Sequence, residues 1–356
     1  MPAKRAARSV TPLVVKASGL VTAVGFDSAA SCAAMRAGIR NVNETNLWDA
    51  ESGTYLSAGK VPLPHWWVGL GKLAELVAPA IHECLVAAQP VPATNIPVLL
   101  GVSSPDRPFR FTGLDEQILG EIENRLGLPL HPASQVIPRD RVSVVVALRE
   151  ARQLISTRQA PCCVVAAVDS LVQQDLVEYY LEKRRILTPM NSNGFAPGEA
   201  GSALLLTPAG DSQAEELEIL GTGIALEKAT IESEEPLRGD GLTRAIGDAF
   251  RESELSIEHV HYRITDLNGE HYKFKEMVLA MIRYERKPKP KLFDLWHPIE
   301  YVGDVGAATG PLVLAVALHA GQNGYGIGPT VLCTFGNDDG QRAAVVATFR
   351  GSEKKR

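Results

Sequence analysis

The stretch Asn193-Gly194-Phe195-Ala196-Pro197-Gly198-Glu199-Ala200-Gly201-Ser202-Ala203-Leu204-Leu205-Leu206 constrains the fold more than any other. It opens as a loop punctuated by glycines at 194, 198 and 201, which admit positive φ or the close passage of another chain segment. Phe195 sits between them as an apolar plug. Ala203 to Leu206 is a continuous apolar run, the pattern of a strand buried on both faces.

The remaining chain supplies helices to cover such a sheet. Residues 13–20 read as a strand running into a glycine turn, and 28–37 as a helix stopped by Gly38. Residues 40–65 read as irregular and polar. Helices are expected at 70–88, near 115–126 and at 143–156, where apolar positions 144, 145, 148, 151, 154 and 155 follow the 3.6 period. Residues 97–103 and 162–168 read as buried strands, and 171–181 as an amphipathic helix. From 208 to 235 the sequence turns acidic and loop-rich, with a strand near 217–223. A second half then repeats the order: helix 242–254, strand 262–267, helix 272–282, a proline-spaced basic linker to 291, helix 306–321, and strands 330–335 and 343–349. Strands alternating with helices predict an α/β protein with mixed sheets covered on both faces. The expected division is 10–207 and 208–350, with flexible tails at 1–9 and 351–356.

Composition narrows the function. A net charge of −5 disfavours wholesale nucleic-acid binding. The five cysteines, 32, 84, 162, 163 and 333, have no Cys-x-x-Cys spacing and no histidine pair nearby, so they read as reduced, buried thiols and not as a metal site. No apolar run reaches the roughly 18 residues a membrane span needs. The expectation is a cytoplasmic protein with no cofactor, no metal and no membrane or nucleic-acid partner.

The order of residues in the glycine loop resembles the GF-x-x-GE-x-(G/A)-(A/S) loop of the β-ketoacyl-acyl-carrier-protein synthases, members of the thiolase-fold superfamily. Gly19 to Gly25 is similar to that family's opening turn, and Gly303-Asp304-Val305-Gly306-Ala307-Ala308-Thr309-Gly310 to its G-H-x-x-G-A-A-G segment. The resemblance implies a thiolase-like fold: two pseudo-repeated halves with buried central helices in αβαβα layers. It also implies a catalytic cysteine at the start of the first central helix and two histidines from the second half. The motif positions here read Arg141, Asn268 and Asp304. Loss of the nucleophile removes covalent acyl transfer, and a carboxylate at 304 repels a malonyl group. The loop positions Phe195, Gly198, Glu199 and Gly303, and the altered C-terminal turn at Phe335 and Gly336, are expected to line the same region.

The resemblance therefore implies a non-catalytic acyl- or carrier-binding or dimer-scaffolding subunit, a homodimer or a heterodimer with a synthase-like subunit, pairing through strand 162–168. A buried Arg141–Asp304 ion pair would plug the former site. The alternative is a 3-oxoacyl-acyl-carrier-protein synthase or related acyltransferase with a non-standard site drawn from Asp140, Ser143, Glu199 and His271. There the basic stretches 183–185 and 286–291 would dock an acidic acyl carrier protein. Ser143 otherwise reads as a hydroxyl near the helix N-cap, and His271 as solvated or capping. A third possibility is an adaptor for another protein in a secretion or biosynthetic cluster.

Overall fold

The computed structural model describes residues 12–65, 67–210, 214–285 and 294–351. The expected tail at 1–9, all but the first residue of the expected tail at 351–356, and the basic stretch 286–291 lie outside the described residues. The first half contains β1 (Leu13–Val21), α1 (Ser28–Arg36), β2 (Asn43–Asp49), β3 (Thr54–Ala58), α2 (Gly69–Ala87), β4 (Val98–Val102), α3 (Leu114–Leu126), β5 (Gln135–Pro138), α4 (Ser143–Ser156), β6 (Cys163–Ser170), α5 (Gln174–Glu182) and β7 (Glu199–Pro208). The second contains β8 (Glu216–Leu226), α6 (Asp240–Ser253), β9 (Tyr262–Thr265), α7 (His271–Met281), β10 (Asp294–Trp296), α8 (Ile299–Val302), α9 (Thr309–Gln322), β11 (Thr330–Gly336) and β12 (Gln341–Arg350).

Both halves build the same sheet. The strand orders are β5-β4-β6-β7-β1 and β10-β9-β11-β12-β8. Counted within each half, with the β2–β3 hairpin set aside, both run 3-2-4-5-1. The fifth strand of each, β7 or β12, is antiparallel to its neighbours, whereas the second to fourth pair in parallel. The sheets join where Leu13 to Val15 pair with Ile219 to Leu217. Between them lie α4 and α9, packed against Leu99, Cys163, Val165 and Leu204 of one sheet and Ile264, Val331, Cys333 and Val345 of the other. The alternate residues Val98, Val164 and Leu205 face α2 and α3, while Leu332, Ala344 and Val346 face α6 and α7. Both faces of each sheet are covered, which is why the strands read as unbroken apolar runs. The result is αβαβα.

Three expectations need correction. Residues 40–65 contain the hairpin β2–β3, closed by an edge-to-face contact between Trp48 and Tyr55 at 5.1 Å; its polar surface residues hid it from a hydrophobic pattern. Residues 135–138, to which the sequence pattern assigns no element, form a strand that is short and ends in Pro138, as edge strands do. Strand 162–168 cannot pair across a dimer: β6 is hydrogen-bonded to β4 on one side and β7 on the other. The edge strand of the first half is β5.

Two glycines record how closely α2 crosses this sheet. A Cβ at Gly201 would overlap the Leu76 carbonyl, and one at Gly19, two residues away on the neighbouring strand, the Ala80 carbonyl. Backbone atoms inside a helix cannot yield as a side-chain tip can. Gly201→Ala is expected to lower the unfolding free energy by about 3 kcal/mol or more, read from the urea midpoint; an unchanged midpoint would refute the packing argument.

Candidate functional site

The loop at 193–201 is the clamp of the site. Its backbone brackets residue 304: Asp304 N donates to Ala196 O at 2.8 Å, and Gly198 N donates to Asp304 O at 2.9 Å. Gly303, at φ 78, turns the chain there, and a Cβ on it would press into Pro197. Glu199 lies beneath, fully buried, accepting from Ser170 Oγ at 2.7 Å and Val61 N at 3.1 Å and paired with Lys72 at 2.5 Å. Phe195 is buried and meets Tyr180 edge to face at 5.1 Å.

Asp304 therefore enters the interior with its direction fixed, at the point where α4 begins. Arg141 Nη2 donates to both its oxygens at 2.7 Å, Asn268 Nδ2 donates to Oδ2 at 2.7 Å, and Gly306 N donates to Oδ1 at 3.0 Å. Three residues from separate segments thus converge on one carboxylate that is 1% exposed. Burial opposes its ionisation, but Arg141, then Lys273 and the hydrogen bonds from Asn268 and Arg141, outweigh it and hold the carboxyl at about 2. Burial likewise opposes the Arg141 charge, and Asp304 and Asp140 more than compensate.

The network continues through Asn268 to Glu270, which takes Arg185 Nε at 2.7 Å and Nη2 at 3.1 Å. Arg185 also donates to both oxygens of Asp338, at 2.8 and 3.0 Å. Of the basic corner 183–185, then, Arg185 faces inward; Lys183 stays at the surface against Glu232. Sequence reasoning missed Arg185, Glu270 and Asp338 because each pairs across the two halves. The C-terminal turn ties in as well: Asn337 accepts from Val142 N at 3.3 Å and donates to Arg139 O at 2.8 Å, and Gly336 N donates to Asp266 at 2.9 Å beside the buried Phe335.

Two candidates stand outside this network. Ser143, the first residue of α4, is wholly buried, and its hydroxyl packs against Gly101 with no hydrogen bond; it does not cap the helix. His271 is exposed at the start of α7, with its backbone N–H on Asn193 Oδ1 at 2.8 Å. Asp140 differs from both. It holds φ at 50°, unusual for a non-glycine residue, and lines a cavity of about 250 Å³ with Arg107, Tyr180 and Asn337. Burial pushes its carboxyl up to about 6, against the opposing pull of Arg141.

All five cysteines are buried and unpaired. Burial pushes Cys32 and Cys163 up to about 12, raises Cys162, and drives Cys84 and Cys333 higher still. Burial of this kind disfavours the thiolate form. Among the described residues, no group of three or more histidine, cysteine or acidic side chains is arranged to hold a metal, and no helix is long and apolar enough to cross a membrane.

The fold is thiolase-like and matches that of solved ketosynthase structures. No family model and no curated protein matches its sequence. Many solved structures match its fold. One is a type II polyketide synthase acyl-carrier protein in complex with its ketosynthase bound to the hexaketide, at TM-score 0.78 and 13% identity over 96% of this chain and 100% of that one. Another is the ketosynthase ApeO in complex with its chain length factor ApeC from Xenorhabdus doucetiae, at 0.73 and 13% over 95% and 98%. A third is the module 6 ketosynthase of the bacillaene synthase from Bacillus subtilis, at 0.75 and 17% over 97% and 73%.

Proposed function

We propose that this chain is a non-catalytic ketosynthase-like subunit, cytoplasmic, that scaffolds a synthase-like partner or binds an acyl carrier. The observation that carries the reading is the closed ion cluster of Arg141, Asn268 and Asp304, placed where the motifs put the family's cysteine and histidines. Every acceptor position of Asp304 facing that cluster is engaged, and its charge disfavours a second anion beside it. Solved structures of similar fold include a ketosynthase with its chain length factor and one with its acyl-carrier protein, which supports partners of those two kinds. The edge strand β5 is a surface through which a partner would extend the sheet.

A second reading, a residual acid–base enzyme, is favoured by Asp140 alone, a carboxyl near 6 on the wall of a cavity. Intact-mass spectrometry after incubation with acyl-coenzyme A and malonyl thioesters separates the two. No acyl adduct and no release of carbon dioxide are expected. An adduct of one acyl group would overturn the scaffold. Turnover without an adduct, abolished by Asp140→Asn, would install the second reading in its place.

A further inference from the structure

A separate cavity of about 340 Å³ lies between α1, β10 and α9, away from the charge network. Its floor is apolar, made by the buried side chains of Cys32, Met35 and Val316. Its wall is aromatic. Trp296 stacks on Tyr325 with centroids 6.1 Å apart and planes at 28°, and the Tyr325 hydroxyl is hydrogen-bonded to His319 Nδ1 at 2.9 Å. At the mouth Arg36 is exposed and lies over the Tyr325 ring, its guanidinium carbon 4.2 Å from the centroid. Among the described residues no carboxylate pairs with Arg36. Two other polar side chains on the wall, His297 and Glu300, face each other at 3.5 Å.

Ligand pockets have this size and this make-up, apolar with a few converging polar groups. A guanidinium laid on an aromatic ring keeps its orientation while its N–H donors stay available, and those donors match a carboxylate in bidentate geometry. A phosphate dianion would be under-neutralised by one arginine with Glu300 close by. We propose that this cavity binds an organic monocarboxylic acid with an apolar body, its carboxylate on Arg36 and its body against Met35, Val316 and Trp296. The cavity shares His297, Glu300 and Tyr301 with a second one that reaches Asn268 and Gly303, so an occupant would adjoin the charge network without entering it. The proposal is independent of the scaffold reading.

Titration calorimetry of the full chain with octanoate tests it. Saturable binding is expected, at least about tenfold weaker in Arg36→Gln, with the neutral octanamide weaker in the wild type and unaffected by the substitution. Arg36 is a surface residue, and an unchanged thermal midpoint would show that the variant folds. Ligand-induced change in tryptophan fluorescence should disappear in Trp296→Phe. Absence of saturable octanoate binding, equal affinity in Arg36→Gln, or a fluorescence change that survives Trp296→Phe would each overturn the assignment.

Discussion

Arg141→Leu is expected to lower the unfolding free energy by about 3–5 kcal/mol, because it strands the Asp304 carboxylate in the interior. Asn268, the Gly306 N–H and the charge of Lys273 would remain to serve that carboxylate. Removing both charges should be gentler. In Arg141→Leu with Asp304→Leu no ion is left unpaired, so the double variant should be more stable than the sum of the single losses by about 1–3 kcal/mol. Urea unfolding of the four proteins closes the cycle. Additive losses would mean that the pair does not act as a unit, and the plugged-site account would fail with it.

Stability should also respond to pH in two opposed windows. Asp140 is held at about 6 in the folded protein against about 3.9 for a free side chain. Between those values the folded state binds more protons than the unfolded one. Stability therefore falls as pH rises from about 4 to 6, by up to about 3 kcal/mol. Glu83 and Glu276, also raised by burial, act in the same direction. Asp304 works the other way: at about 2 in the fold, its contribution of about 2–3 kcal/mol is complete above about pH 5 and is lost as pH falls from about 4 towards 2. Stability is thus expected to peak near pH 4–5. Asparagine tolerates the left-handed backbone of position 140, so Asp140→Asn should fold, flatten the upper slope and leave the acid limb unchanged. Urea midpoints from pH 3 to 7.5 measure both. An upper slope identical in the variant would show that Asp140 does not titrate as described.

The two windows also mark what separates a carboxylate's place in the sequence from its behaviour. Asp140 and Asp304 are the same residue type, and each contacts Arg141. Asp304 accepts from that guanidinium at 2.7 Å and from two further donors, whereas Asp140 reaches it at 3.4 Å and feels Asp169 and Asp338 as well. Distance and donor count decide the sign, and neither is written in the chain.

Much of the architecture is in the sequence because it rests on local pattern. The 3.6 period of residues 143–156 and the unbroken apolar runs at 162–168 and 203–206 depend only on which faces must leave water, and they reappear as α4, β6 and β7. The glycine loop and the Gly-Asp-x-x-Gly-Ala-Ala segment mark out Asp304 through their resemblance to the β-ketoacyl synthase motifs. Where pattern is weak, so is the reading: the polar hairpin 43–58 and the four-residue edge strand 135–138 bury too little apolar surface to leave a period. Pairing is not carried by local pattern. The Arg141–Asp304 pair, 163 positions apart, is expected only through the family resemblance, whereas the inward turn of Arg185 to Glu270 and Asp338, the enclosure of β6 and the edge position of β5 follow from how two similar halves pack. A buried charge is tolerable only beside its counter-charge, and which residues become neighbours is settled when the two sheets close on α4 and α9.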